Sequence, residues 1–317
     1  MAIRQSWTQL YSGLSDLPAW RSSAPWNKWN LKIFALSLFI VLPAAVWIGA
    51  SQALPETPGW KLTFDDEFNG NKINLSHWNV SNYASVINQE QQYYTPDSIV
   101  VQHGFLRITT AKRFFGGREY TSGEITTRGK FAQLYGYFEA RLRFPTTKGL
   151  WSCIYLLPKS GAWPPEIDIS EYLTRTPDEL YLTNHWRGSD GRHWQLNSYL
   201  VDPRINFTEW HVYAVDWEPG SVRWYVDGRL VGSSVPSADV ELGQVNWYVD
   251  GESAGTAPSN AIGPPNGPNV TVSSTPMYIR INDCIGIFGG SPANGPWPQY
   301  FDIDYVRVYK RLPARHR

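Results

Sequence analysis

Three acidic residues fall within the six-residue run EIDISE: Glu166, Asp168 and Glu171. A β-strand points alternate side chains to opposite faces, so Glu166 and Asp168 share one face and Ile167 and Ile169 share the other. Glu171 would fall on the wrong face unless a one-residue bulge re-aims it, and bulges are over-represented beside active sites. Carboxyl groups gathered on one face repel each other and raise some of their pKa values. Such a cluster suits acid–base and nucleophilic work on a glycosidic bond.

The run Glu-Ile-Asp-Ile-Ser-Glu resembles the active-site signature of glycoside hydrolase family 16 in its bulged form. Four other segments resemble laminarinase-like members of that family and occur in the same order. They are residues 88–95 (NQEQQYYT), 135–141 (YGYFEAR), 149–151 (GLW) and 304–309 (DYVRVY). The resemblance runs from about residue 60 to residue 310. It implies an all-β fold, a jelly-roll sandwich of two curved antiparallel sheets with a concave substrate cleft.

By this resemblance Glu166 is the nucleophile and Glu171 is the general acid/base. Asp168 lies between them and is expected to hydrogen-bond the nucleophile and hold its orientation. A retaining glycosidase needs two such carboxyl groups roughly 5–5.5 Å apart. The alternative is a solvated acidic face, and the apolar spacers and aromatic neighbours of these acids argue against it.

Five residues are candidates for binding the substrate. Trp151 matches a family position that stacks on sugar rings, and Trp163 precedes the catalytic strand; a core role is the alternative for each. Tyr155 stands where laminarinase-like members usually carry a Trp. Asn88 matches an Asn that contacts a sugar hydroxyl in the family. His185 is expected to bond the substrate or to position the acid/base, with a structural role as the alternative.

The resemblance implies no cofactor for catalysis but one structural Ca²⁺ remote from the chemistry. Calcium prefers oxygen ligands. Glu67, Asp304 and the carbonyl oxygen of Gly104 match the calcium-binding positions of the family. No Cys-x-x-Cys motif or Cys/His cluster in the sequence suggests zinc.

The sequence contains two cysteines, Cys153 and Cys284, both in predicted strands along the cleft. An exported domain would permit a disulfide between them. We favour two buried unpaired thiols, because free Cys is among the most buried residue types.

The chain has 317 residues, of which 42% are hydrophobic and 15% aromatic, enough for one large domain with a sizeable core. Past residue 55, short alternating apolar runs are separated by Gly, Pro, Asn and Asp, which predicts an all-β sandwich. The sequence WYVDG occurs at residues 224–228 and again at 247–251. We expect the first copy to form a strand and turn. The second copy leads into residues 251–268, which we predict to be a loop.

Residues 33–50 (IFALSLFIVLPAAVWIGA) are almost wholly apolar and follow Lys28 and Lys32. This segment is long for a signal-peptide core and just long enough to span a bilayer, so a cleaved signal and an uncleaved anchor both stay open. The sequence therefore divides into a tail (1–32), a hydrophobic segment (33–53) and the family-like domain (54–317). In both cases we expect the domain to be extracytoplasmic, either secreted or held by a single-pass anchor.

The formal net charge is zero, and no basic patch indicates a nucleic-acid partner. We expect a monomer that hydrolyses 1,3- or mixed 1,3/1,4-linked β-glucan with retention, through a glycosyl-enzyme intermediate. Three alternatives stay open: a cell-wall β-glucan transglycosylase, a galactan hydrolase and a non-catalytic glucan-recognition protein. The presence of all three acids argues against the last.

Overall fold

A computed structural model describes residues 59–234, 270–292 and 294–313, and the backbone of residues 244–249 and 252–258. The predicted tail and hydrophobic segment lie outside these ranges. No helix within the ranges is long and apolar enough to cross a membrane. The strands in chain order are β1 Trp60–Asp66, β2 Asn79–Val80, β3 Tyr83–Ala84, β4 Gln92–Tyr94, β5 Ile99–Gln102, β6 Phe105–Thr110, β7 Tyr120–Ser122, β8 Glu124–Thr126, β9 Gly136–Arg143, β10 Trp151–Pro158, β11 Glu166–Leu173, β12 Glu179–Arg187, β13 His193–Val201, β14 His211–Glu218, β15 Ser221–Val226, β16 Arg229–Ser233, β17 Gln244–Val249, β18 Glu252–Pro258, β19 Met277–Cys284 and β20 Gln299–Arg311.

The strands form two large antiparallel sheets and one small sheet. The first large sheet has the order β16-β15-β14-β9-β20-β6-β5, and β1 pairs with β20 as its eighth strand. The second has nine strands in the order β18-β17-β13-β12-β11-β10-β19-β8-β2. Strands β3, β4 and β7 form the small sheet, in which β4 and β7 are parallel. Short 3-10 helices cover Ile87–Gln89 and Pro96–Ser98. This architecture is the all-β sandwich that the sequence predicts.

The core lies between the two large sheets and follows from the alternation of apolar residues along the strands. In β9, Phe138, Ala140 and Leu142 are buried, while the residues between them are partly exposed. In β11, Ile167 and Ile169 are buried in the same cluster. Fully burying an Ile or Phe side chain contributes about 1.5–3 kcal/mol. The core thus holds the strands in register and leaves their alternate positions free to face away from it.

The bulge predicted in the acidic run is present. The register between β11 and β12 shifts between Asp168 and Glu171, and the register between β10 and β11 shifts at the matching place. Asp168 is paired with Thr183 of β12, and Glu171 is paired with Tyr181. The extra residue in β11 therefore re-aims the third acid, as the spacing of the motif requires.

The prediction of a loop over residues 251–268 is wrong for its first part. Residues 252–258 form β18, which pairs with β17, and β17 pairs in turn with β13 at the edge of the nine-stranded sheet. The Gly, Ser and Ala content of β18 suggested a loop, but backbone pairing with a stronger neighbouring strand overrides a weak β propensity. The first three residues of the second WYVDG copy thus lie in β17, the strand next to the edge strand β18.

Candidate active site

A cleft of about 550 Å³ lies over strands β10, β11 and β19 of the nine-stranded sheet. This volume is within the range of pockets that bind small ligands or short stretches of polymer. Glu166 and Glu171 both line it, and aromatic rings and two arginines surround them. The remaining lining residues are Ile87, Asn88, Glu90, Arg128, Trp151, Cys153, Tyr155, Leu157, Pro158, Gly161, Ala162, Trp163, Tyr278, Arg280 and Asn282.

Cross-strand pairing brings the acids onto this floor. Tyr155 of β10 is paired with Asp168, and Cys153 is paired with Glu171. On the other side of β11, Glu166 is paired with His185 of β12. The three carboxyl groups therefore sit in the middle of the sheet, between neighbours that come from two different strands.

The carboxyl group of Glu166 accepts a hydrogen bond from Trp163 Nε1 at 2.5 Å. It also shares a hydrogen bond with the carboxyl group of Asp168. Burial, followed by the charge of Asp168, raises the pKa of Glu166 to about 8. Two adjoining carboxyl groups in a poorly solvated site cannot both ionise cheaply, so they hold one proton between them near neutral pH.

Asp168 is almost fully buried, at 2% exposure. Its Oδ2 atom lies 3.0 Å from His185 Nε2, and its backbone carbonyl accepts a hydrogen bond from Trp224 Nε1 at 2.7 Å. Burial raises the pKa of Asp168 to about 7, and hydrogen bonds from Glu166 and Thr183 oppose that rise. Every polar contact of this side chain therefore comes from a fixed strand position.

Glu171 is in a different environment. Trp151 Nε1 donates a hydrogen bond to Glu171 Oε1 at 2.9 Å, and the Cys153 thiol lies 3.9 Å from the same oxygen. Burial, followed by the charges of Asp168 and Glu166, raises the pKa of Glu171 well above its usual range. A carboxylic acid that stays protonated near neutral pH is able to act as a proton donor.

Four of the five predicted substrate-binding residues line the cleft: Asn88, Trp151, Tyr155 and Trp163. Trp163 is 49% exposed, so a core role is excluded for it. Trp151 is partly exposed and makes an edge contact with the ring of Phe288, with 4.9 Å between centroids. Each of these two indoles therefore lies in the cleft beside one of the two glutamates, Trp163 beside Glu166 and Trp151 beside Glu171.

The fifth predicted residue, His185, has a different partner from the expected one. It was expected to bond the substrate or to position Glu171, but its Nε2 atom contacts Asp168 instead. Its Nδ1 atom lies 3.0 Å from His193 Nε2, in β13. The register of β11 with β12 explains the difference, because His185 lies opposite Glu166, whereas Glu171 lies opposite Tyr181.

Other polar residues of the cleft were not found from the sequence. Arg280 pairs with the buried Glu124 and donates a hydrogen bond to Tyr83 Oη at 2.9 Å. Asn282 donates through Nδ2 to Tyr94 Oη at 2.8 Å. Arg280, Asn282 and Cys284 are spaced two residues apart in β19, so their side chains share one face of the strand. This spacing from Cys284, which was already predicted to lie along the cleft, was the sequence signal that could have identified the other two residues. Without the pairing of β19 to β10, that signal does not indicate the cleft.

Cys153 and Cys284 are buried free thiols, as the favoured interpretation of the sequence predicted. The Cys284 thiol donates to the carbonyl oxygen of Trp151 at 3.1 Å, and Asn282 Nδ2 lies 3.4 Å from its sulfur. Burial raises the pKa of both thiols. Both side chains are therefore protonated packing groups, and Cys153 also lines the cleft.

The two carboxylates among the predicted calcium ligands already have cationic partners. Both carboxylate oxygens of Glu67 accept hydrogen bonds from Arg307, at 2.7 and 2.9 Å. Asp304 is paired with Arg141 at 2.5 Å. Gly104 has a φ of +79°, and a Cβ added there would contact Asn69 Oδ1 at 3.7 Å. A calcium ion would have to share these carboxylates with arginine, and the calcium site stays a prediction.

Within the described ranges, one group of His, Cys, Asp and Glu side chains is compact enough to suggest a metal site: Glu166, Asp168 and His185, whose ligand-type atoms lie within 4.8 Å of one another. Their mutual hydrogen bonds account for this spacing. We therefore describe the group as a proton-sharing cluster and assign no metal to it.

Comparison with known proteins agrees with this geometry. The family model for glycosyl hydrolases family 16 matches residues 81–243, which is half of the chain. A beta-glucanase from Rhodothermus marinus is 30% identical over 295 residues, covering 86% of this chain and 93% of that relative. The chain belongs to glycosyl hydrolase family 16. The family predicted from the EIDISE motif is thereby confirmed.

This chain is also similar to an endo-1,3-beta-glucosidase and to a laminarinase of known structure. Glucan endo-1,3-beta-glucosidase A1 of Niallia circulans is 29% identical over 81% of this chain, which spans 39% of that larger protein. The X-ray structure of the laminarinase from Rhodothermus marinus matches with a TM-score of 0.63 and 28% identity, over 80% of this chain and 98% of that one. The jelly-roll architecture of family 16 laminarinases is therefore the fold of this chain, as predicted.

Proposed function

We propose that this family 16 enzyme is an endo-β-glucanase that hydrolyses 1,3- or mixed 1,3/1,4-linked β-glucan with retention. The observation that carries the proposal is the pair of cleft carboxyl groups, each with an indole donor of its own. Glu166 is bonded by Trp163, and Glu171 is bonded by Trp151. The names of the relatives support the substrate class, since they include beta-glucanases and endo-1,3-beta-glucosidases.

In the first step, the Glu166 carboxylate attacks the anomeric carbon, and Glu171 gives its proton to the glycosidic oxygen of the leaving chain. An ester forms between Glu166 and the sugar, and the leaving chain departs as an alcohol. In the second step, the Glu171 carboxylate takes a proton from water, whose oxygen displaces Glu166 from the anomeric carbon. Both carboxyl groups return to their starting states.

The environments of the acids support this division of roles. The nucleophile must be ionised; burial and the charge and hydrogen bond of Asp168 raise the pKa of Glu166, so attack requires the shared proton to lie on Asp168. The acid/base must be protonated, and the negative charges of Glu166 and Asp168 favour a neutral Glu171. When the surroundings of two carboxyl groups favour opposite protonation states, the ionised group can be assigned as the nucleophile and the protonated group as the acid.

The same assignment gives the cleft a direction. The nucleophile bonds to the sugar that stays on the enzyme, so Trp163 marks the glycone side. The acid protonates the oxygen of the departing chain, so Trp151 and the adjoining Phe288 mark the aglycone side. An aromatic pair on the aglycone side also supports a second candidate function, transglycosylation, because it would retain an acceptor sugar in place of water.

The variant Glu166→Gln tests the assignment of the nucleophile. It keeps the size of the side chain and removes its charge, so hydrolysis of laminarin should be lost while binding, measured by calorimetry, persists. Glu209→Gln is the matched control, because Glu209 is an exposed residue of the loop between β13 and β14. Turnover in Glu166→Gln close to that of the control would overturn the assignment.

Product analysis separates the remaining candidates. Laminarin, lichenan and agarose present three linkage types. New reducing ends should form faster from the two β-glucans, laminarin and lichenan, than from agarose. Products longer than the starting oligosaccharide would indicate transfer to sugar as the main reaction. Release of oligosaccharides from agarose alone would replace the glucanase proposal with a galactan hydrolase.

We also propose that the enzyme works as a monomer outside the cytoplasm, carried there by residues 33–53. The apolar run behind Lys28 and Lys32 supports this placement. Cleavage should leave an N-terminus near residue 54, whereas an anchor should keep the intact chain with membranes after a carbonate wash. Full-length active enzyme in the cytosolic fraction would overturn the proposal of export.

A further inference from the structure

A pair of histidines lies behind the buried Asp168. His185 of β12 and His193 of β13 are stacked, with ring centroids 5.2 Å apart and an angle of 21° between planes. Their facing nitrogens, His185 Nδ1 and His193 Nε2, are 3.0 Å apart. The second nitrogen of His185 reaches Asp168 Oδ2, also at 3.0 Å. Three side chains from three consecutive strands thus form one hydrogen-bonded chain.

The contacts between heavy atoms indicate which nitrogen carries the proton at each hydrogen bond of this chain. Burial lowers the pKa of His185, against the charge of Glu166, which favours a neutral ring with a single N–H. An ionised Asp168 can only accept, and it therefore requires the proton on His185 Nε2. His185 Nδ1 is then an acceptor, and the atom facing it is His193 Nε2. Only the His193 tautomer or cation with a proton on Nε2 completes the chain.

The position of His193 is fixed independently of this bond. Its ring packs against the indole of Trp163, with centroids 4.5 Å apart, and Trp163 in turn donates to Glu166. Arg187, opposite His193 in register, donates to the carbonyl oxygens of Trp163 and Gly191. The ring therefore has packing that can hold it at the 3.0 Å contact.

We propose that His193 is a positioning residue for the glycosidase reaction: its Nε2–H donates to His185 Nδ1 and thereby holds the tautomer of His185 that donates to Asp168. The inference rests on the proposed roles of Glu166 and Asp168. With that tautomer held, the Glu166–Asp168 pair receives a hydrogen bond that favours its singly protonated state, in which Glu166 is able to attack.

Without His193, the His185 ring is free to carry its proton on Nδ1. The lone pair of Nε2 would then face Asp168, which disfavours the ionised carboxylate and favours its protonated form. The carboxyl pair would hold its protons to higher pH. Among the residues whose side chains the structure describes, the charged groups that contact the histidines or are paired with them in register are Glu166 and Asp168 of β11 and Arg187 of β12, and Asp190 and Arg192 lie in the adjoining β12–β13 turn. Replacing His193 alone leaves all of these residues in place.

Two variants separate the hydrogen bond from the packing. His193→Phe keeps a ring against Trp163 and removes the donor, whereas His193→Gln restores an N–H donor without the imidazole. His103→Gln is the control, because His103 is an exposed residue of the β5–β6 turn in the other sheet. Each protein is assayed on laminarin for the pH dependence of kcat/KM, and ¹⁵N-histidine NMR reports the tautomer of His185.

In His193→Phe we expect the acid limb to move to higher pH by about one unit, the effect of one lost hydrogen bond, with KM little changed. The His185 signal should shift toward the Nδ1–H tautomer, and His193→Gln should reverse both changes in part. An unchanged His185 tautomer in His193→Phe would overturn the inference, even if activity fell. Because NMR needs no turnover, failure of this inference is distinct from failure of the glucanase proposal, which would appear as an inactive wild-type enzyme.

Discussion

Replacing Trp151 or Trp163 by Phe should move opposite limbs of the pH–activity profile. Each substitution keeps an aromatic ring and removes the indole N–H that bonds one catalytic carboxyl group. A donor to a carboxylate favours its ionised form, so losing it raises the pKa of that carboxyl group. For Trp151→Phe the affected group is Glu171, whose pKa is already raised by burial.

The magnitude follows from the geometry of the contact. Trp151 Nε1 and Glu171 Oε1 are 2.9 Å apart, a normal hydrogen-bond distance. A hydrogen bond to a charged group contributes about 1.5–3 kcal/mol, and one pKa unit corresponds to about 1.4 kcal/mol. Glu171 is partly exposed, which favours the lower end of that range. We therefore expect its pKa to rise by about one unit.

The two variants should have opposite effects on the width of the pH range in which the enzyme is active. Glu171 must be protonated, so in Trp151→Phe the alkaline limb of kcat/KM should move to higher pH and the active range should widen. Glu166 must be ionised, so in Trp163→Phe the acid limb should move to higher pH and the active range should narrow. Initial rates on laminarin across the range in which the enzyme stays folded provide the measurement. Movement of the same limb in both variants would refute the assignment of separate donors.

Three further predictions concern the acid/base, the core and calcium. Glu171→Ala should hydrolyse laminarin poorly but recover much of its rate on aryl glucosides with good leaving groups, which need no proton; equal losses on both substrates would contradict this. Asp283 is buried, and burial raises its pKa from 3.8 to about 6. The unfolding free energy of wild type relative to Asp283→Asn should therefore fall as pH rises from 3.8 to about 6, measured by urea denaturation. Ca²⁺ should raise the Tm of wild type and not of Glu67→Gln, and an equal response in both would remove Glu67 from the calcium site.

The local features of the site could be predicted from the sequence because they depend on neighbouring residues in the chain. The alternation of Glu166 to Ile169 indicates which side chains face the core, and the spacing to Glu171 requires a bulge. Both features are present in β11. The apolar alternation from which the sequence predicts an all-β sandwich is also present in β9, where one face is buried.

Contacts between distant segments could not be predicted in this way. The pairing of Cys153 with Asn282, 129 positions apart in the chain, depends on the register of β10 with β19. The contact of Trp151 with Phe288 depends on how the loop after β19 folds back. There an added Cβ at Gly149, whose φ is +104°, would clash with Pro292. No period along a single segment encodes either arrangement, because each requires two strands to be placed first.

The bulge in β11 has consequences beyond the direction of one side chain. One extra residue separates Asp168 from Glu171, so Glu171 is paired with Tyr181 of β12 and with Cys153 of β10, whereas Glu166 is paired with His185 of β12. One carboxyl group consequently shares its proton with Asp168 and, through it, with the histidine pair. The other meets only an indole and a thiol and keeps its own proton. A single backbone irregularity thus gives two chemically identical side chains the unlike environments that a nucleophile and an acid require.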